Sequence, residues 1–260
     1  MRITIIGSGN VATHLSAALK NAGHKIVQVY SRNINKANLL AYHVAAEPID
    51  DIVLIDANTD IFIIAVNDDA VGEIARQLAG FDILMAHTSG SVGISTLQAF
   101  TDNAGVFYPL QTFSTTKELD FRQVPLCVEG ADELITKTLE ELARTVSNNV
   151  YQVNSEQRKI LHLSAVFACN FTNHLYGVAQ QLLAEHNMDF NMLRPLIAET
   201  ADKVKQHLPA EVQTGPAVRK DEQTMQKHLQ MLDNSPQLQE LYRLLSQDII
   251  KNTNGRNGDK

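Results

Sequence analysis

The chain has 260 residues, 44% of them hydrophobic and 20% charged, the balance of an ordinary globular protein and a length suited to two domains. A formal net charge of −7 argues against general nucleic-acid binding, which needs clustered Lys and Arg. The only cysteines, Cys127 and Cys169, have neither partners for a disulfide framework nor metal-ligand spacing, so both read as buried small hydrophobes and no metal is expected.

The first half alternates strand and helix. Arg2–Ile6 is a short apolar strand, Val11–Ala22 carries apolar residues at helical spacing, Lys25–Tyr30 is a second strand, and Ile34–Tyr42 is helical. Asp60–Val66, "DIFIIAV", is a continuous β-branched run without polar alternation, the pattern of a strand buried on both faces. A helix over Ala70–Leu78 follows, then strands at Ile83–Thr88, Gly105–Leu110 and Pro125–Gly130, a helix over Asp132–Ser147, and a last strand at Val150–Val153. This alternation predicts an α/β fold with a doubly wound, mostly parallel Rossmann sheet over residues 1–153.

After Val153 only helical patterns remain. One long helix is expected from Ser155, as N-cap, to about His186, followed by Asn191–His207, Lys220–Asp233 and Ser235–Lys251. Residues 154–251 therefore form an all-α domain built on one long helix, and the polar end 252–260 reads as a disordered tail. No signal-like segment precedes the first strand and no apolar run approaches the ~18 residues of a membrane helix, so a cytoplasmic protein without membrane or nucleic-acid partners is expected.

The turn "GSGNVA" follows a strand and opens a helix, the context that a dinucleotide fingerprint requires. Gly7 allows the tight turn, Gly9 lets a pyrophosphate approach the backbone, and Ala12 is small where helix and strand pack; Ser8, Asn10 and Val11 complete the cradle. An NAD site usually carries an acid at the end of the second strand. Here stand Ser31, Arg32 and Asn33, with Lys36 one turn on, suited to the 2′-phosphate of NADP. The alternative for these residues is a solvated polar turn. Val66, Asn67 and Asp68, and then His87, Thr88, Ser89 and Gly90, lie at the carboxyl ends of later strands, where ligands sit in such sheets. His87 and Ser89 are thus candidates to face the nicotinamide, and Ser89-Gly90 a substrate; a structural role for His87 is the alternative.

On "IGSGNVATHL", "AVNDDAV", "HTSG", "YPLQTFS", "LHLSAVFACNFTNHL" and "TGPAVRKD", the chain resembles the Rossmann-like NADP oxidoreductases whose all-helical second half is a domain of unknown function. These are distant relatives of pyrroline-5-carboxylate reductase, ketopantoate reductase and the 6-phosphogluconate and β-hydroxyacid dehydrogenases. The resemblance implies hydride transfer between NADPH and a small polar carbonyl, imine or hydroxy acid in an interdomain cleft, and a homodimer through the helical domain.

Such a reduction needs a proton donor and groups that stabilise charge on the substrate. His162, Val166, Asn170 and His174 recur every four residues on the long helix, and Asn170 and Asn173 sit in an apolar, core-like segment where a buried amide must find partners. A substrate is one such partner and a backbone carbonyl the other. The β-hydroxyacid dehydrogenases use Lys followed four residues later by Asn; here Val166 precedes Asn170 at that distance. Aligning the Asn of ketopantoate reductases on Asn170 places His162 near their Lys, and a histidine can donate a proton near neutral pH. His162 and Asn170 are the catalytic candidates, with Gln111, Thr112 and Arg219 as substrate contacts; an ordinary salt bridge is the alternative for Arg219. The missing Lys–Asn pair keeps open a non-catalytic NADP-binding sensor.

Overall fold

A computed structural model describes residues 1–114 and 119–254. The chain divides into two compact units, Met1–Tyr176 and Gly177–Lys260. The division falls inside the expected long helix, downstream of the last strand at which the sequence places the domain boundary.

The first unit holds eight strands: β1 (Arg2–Ile6), β2 (Lys25–Tyr30), β3 (Glu47–Ile49), β4 (Ile61–Ile64), β5 (Leu84–His87), β6 (Ala104–Pro109), β7 (Leu126–Gly130) and β8 (Val150–Gln152). They form one sheet in the order β3-β2-β1-β4-β5-β6-β7-β8. Every neighbouring pair is parallel except β6 and β7. The fold is Rossmann-like, and its order reverses between β1 and β4, the crevice where ligands bind in such sheets. β3 is absent from the sequence reading: it is a three-residue edge strand with Pro48 in its middle, and a proline is tolerated there because an edge needs fewer ladder donors.

Helices α1 (Asn10–Asn21), α2 (Ile34–Val44), α3 (Val71–Leu78), the short α4 (Ser95–Gln98) and α5 (Glu133–Val146) connect the strands. Side chains alternate across the sheet, so Ile3, Ile5, Ile61 and Ile63 join Leu15, Leu40 and Leu139 of α1, α2 and α5 in one core. Ile6, Phe62, Ile64 and Met85 point the other way, into Val71, Ile74 and Leu78 of α3. Apolar residues on both faces explain why β4 reads as an unbroken apolar run.

After β8 the helices begin. α6 (Ser155–Ala165) is capped by Asn154, not Ser155: the Asn154 side chain accepts from the Gln157 N–H, and the Gln157 side chain accepts in return from the Asn154 N–H. The expected single helix is interrupted by a wide π turn over Val166–Phe171 and resumes as α7 (Thr172–Glu185).

In the second unit, α8 (Arg194–Gln206), α9 (Glu222–Met231) and α10 (Pro236–Asn254) are separated by turns, and no strand occurs among its described residues. α9 and α10 are joined by His228 Nδ1 with Tyr242 Oη at 2.8 Å, and by Gln239 Nε2 donating to the Leu229 carbonyl at 2.7 Å. α10 runs through Asn252–Asn254, which the sequence assigns to the tail; the rest of that tail lies outside the described residues. Among the described residues no helix is long and apolar enough to cross a membrane.

Candidate functional site

Gly7 has φ +124°, a conformation that side chains other than glycine rarely adopt, and a Cβ there would come within 2.8 Å of the Ala65 carbonyl carbon. Its N–H donates to the Tyr30 carbonyl at 2.8 Å, which ties the turn to the end of β2. Gly9 is the N-cap of α1, where no side chain caps the helix, and a Cβ on it would meet nothing within 4 Å. The first turn of α1 thus has no side-chain cap, and Gly7, Ser8 and Gly9 line an open groove, as an approaching phosphate requires.

Ser8 Oγ donates to Ser31 Oγ at 2.9 Å, joining the glycine turn to the end of β2. Asn33 caps α2 by accepting from the N–H groups of Asn35 and Lys36, so its carbonyl oxygen is engaged and its amide NH2 remains to donate. Arg32 and Lys36 are exposed beside it. A groove of about 530 Å³ gathers Gly9, Ser31, Arg32, Lys36, Val66 and Asn67, so these sequence candidates share one site. Two cations, no acid at the end of β2, and an open helix N-terminus fit a dinucleotide with an extra phosphate.

At the end of β5 the loop is self-braced. Ser89 Oγ accepts from the N–H groups of Ser91 and Val92, at 3.1 and 3.0 Å, and the Ser91 hydroxyl donates to the Asp68 carboxylate after β4. His87 is fully buried and its Nδ1 accepts from the Ser89 N–H at 3.2 Å. Burial first, and then the Arg158 cation, hold its imidazole down to a pKa of about 4. The sequence candidate for a nicotinamide contact is therefore a neutral brace beneath the loop.

The group above that loop is His162. Its ring rests on Gly90, where a Cβ would come within 2.6 Å of Nδ1, and Nδ1 is hydrogen-bonded to Tyr108 Oη at 3.0 Å. Burial pushes the Tyr108 phenol up to about 12, so it stays protonated. His162 and Tyr108 line a cleft of about 430 Å³ with Gln111, Thr112, Cys169 and Asn170. The whole cleft belongs to the first unit. Gln111 Oε1 accepts from the Thr112 N–H at 2.8 Å, which leaves the Gln111 amide NH2 as a donor.

Two expectations fail here. Asn170 and Asn173 are exposed rather than buried, because the surrounding apolar residues are exposed too: Phe167 by 62% and Phe171 by 49%. Cys169 is likewise exposed, whereas Cys127 is buried as expected. Arg219 lies in the second unit, exposed, in the turn before α9. Among the described residues no group of three potential metal ligands occurs.

Residues 1–112 match the profile of a Rossmann-like domain, and residues 124–249 match a domain of unknown function, DUF2520. A crystal structure from Bacteroides fragilis, provisionally described as an NADP oxidoreductase, is 42% identical, with coverage of 96% of this chain and 98% of that one and a TM-score of 0.89. The chain belongs to the Rossmann-like DUF2520 family. At the level of fold alone, it is also similar to an imine reductase from Myxococcus stipitatus in complex with NADP+, with 16% identity, coverage of 96% and 92%, and a TM-score of 0.64. A pyrroline-5-carboxylate reductase from Coxiella burnetii is 17% identical, with 97% of each chain covered and a TM-score of 0.58. No curated protein matches.

For this DUF2520 chain, the sequence reading missed Tyr108 and Arg158. Tyr108 belongs to "YPLQTFS", and its position at the end of β6 was the available signal. Arg158 gave none, since a charge on a helix ordinarily marks the solvent face.

Proposed function

We propose that this chain is an NADP-dependent oxidoreductase acting on a small polar carbonyl, imine or hydroxy acid, with His162 as the proton donor. The observation that carries the reading is the His162 ring seated on Gly90, after β5, in the same unit as the open N-terminus of α1. The relatives described as an NADP oxidoreductase and an NADP+-bound imine reductase support it.

When bound, NADPH supplies the hydride. The N–H groups after Gly9 would hold its pyrophosphate, and Arg32 with Lys36 would pair with its 2′-phosphate. His162 would give a proton to the substrate oxygen or nitrogen next to the carbon that is reduced. Its Nδ1, held by Tyr108 Oη, fixes the ring during that transfer. Asn170 and Gln111 present amide groups to the polar end of the substrate. Reduction of the ketopantoate type belongs to this class.

The test is a titration with NADPH and NADH, read by nicotinamide fluorescence. NADPH should bind much more tightly, and Arg32→Ala should weaken it by about 1–3 kcal/mol while leaving NADH nearly unchanged, as expected for losing a charge-assisted contact. Equal losses would remove the argument for NADP, and no binding of either cofactor would remove the enzyme reading.

A further inference from the structure

Arg158 is the largest fully buried side chain among the described residues. It lies one helical turn before His162 in α6. Its Nη1 donates to Glu129 Oε2 at 2.5 Å, and its Nη2 donates to the Val92 carbonyl at 2.6 Å and to Ser155 Oγ at 3.2 Å. Glu129, in β7, also accepts from the Ser155 N–H at 2.9 Å and from its hydroxyl at 2.8 Å. Ser155 Oγ in turn accepts from the Ile94 N–H at 3.0 Å. One guanidinium thus gathers β7, the first turn of α6, and the loop that carries Gly90.

Stability alone is a poor reason for this arrangement. A buried ion pair often fails to recover the cost of taking both charges out of water. Here the Arg158 Nε also has no partner among the described residues, which adds to that cost. What a planar fork provides is direction, because its donors leave at fixed angles toward separate acceptors. An ammonium group in its place would hold Glu129 without that angular control.

We infer that Arg158 and Glu129 are positioning residues that set α6 against the loop after β5, and so hold the His162 ring on Gly90 and Tyr108. The functional weight of this device rests on the reading of His162 as proton donor, but its geometry does not. A shift of α6 would act directly on the bond between His162 Nδ1 and Tyr108 Oη, since nothing else among the described residues bonds that nitrogen.

The imidazole nitrogens report this directly. In nitrogen-15 spectra of the full chain, with His162 assigned by its disappearance in His162→Gln, the bond to Tyr108 should hold the neutral ring in one tautomer. Arg158→Met should replace that pattern with averaged tautomer shifts while the protein still melts cooperatively. Glu129→Gln serves as the second variant should Arg158→Met not fold. Arg158→Lys should recover the pattern only in part. A folded Arg158→Met or Glu129→Gln protein with the native His162 pattern would overturn the inference, and full recovery by lysine would overturn the angular argument. Because neither cofactor nor substrate enters this measurement, its result stands even if the NADPH titration fails.

Discussion

Gly7→Ala should lower the melting temperature sharply and abolish NADPH binding, whereas Gly9→Ala should melt almost as the native protein does. At position 7 the added methyl group meets the Ala65 carbonyl, which is backbone and cannot swing aside. Ala65 is itself held, because its N–H donates to the Ile6 carbonyl at 2.8 Å and Ile6 pairs with Ile64 in the sheet. To this clash is added the strain of a non-glycine residue at φ +124°, of order 1–3 kcal/mol. Each kcal/mol lost corresponds to about 2–4 °C in a chain of this size, so a drop on the order of 10 °C is expected. At position 9 the methyl group enters open space, and the loss falls on phosphate approach alone. Thermal melting with and without NADPH separates the two, and a stable Gly7→Ala protein would show that the turn is not built as described.

Gly90→Ala should leave NADPH affinity within a few-fold of native but cut turnover by about 10²–10⁴-fold, the range for loss of a general acid. The new methyl group would lie within 2.7 Å of His162 Cγ and 2.9 Å of Tyr108 Cζ. Here the obstructing atoms belong to side chains, so the ring yields into the cleft, and overpacking costs about 1–3 kcal/mol. Its bond to Tyr108 is lost with the movement. His162→Ala should reproduce the kinetic effect without the overpacking. Steady-state rates with NADPH and a panel of ketoacids and cyclic imines provide the check. Native turnover by both variants would remove His162 as the proton donor.

The parts of this molecule that were legible in the sequence are those whose physics is local. Ile61–Ile64 and its neighbours declare buried parallel strands because both of their faces are covered, and Gly7 with Gly9 declares a tight turn because of its position between β1 and α1. β3 was silent because an edge strand of three residues carries no periodicity. Asn170 was misread by a rule that fails on an exposed apolar surface: a polar residue among phenylalanines is buried only where the phenylalanines are. Arg158 is the opposite case. Its burial depends on Glu129, Val92 and Ser155, whose convergence only the tertiary fold reveals.

The wide turn over Val166–Phe171 acts on angle rather than on length. Eight residues of regular α-helix, from His162 to Asn170, would leave the two side chains roughly 80° apart around the axis. A π turn takes one more residue into each hydrogen-bonded loop, so each residue within it advances less. Asn170 is thereby carried back toward the side of His162, and both line the same cleft. The helix works as a vernier: one surplus residue in its middle sets the phase of everything that follows. Wound as regular α-helix without losing a residue, the same segment would keep its helical content but turn the amide away from the imidazole it was set to face.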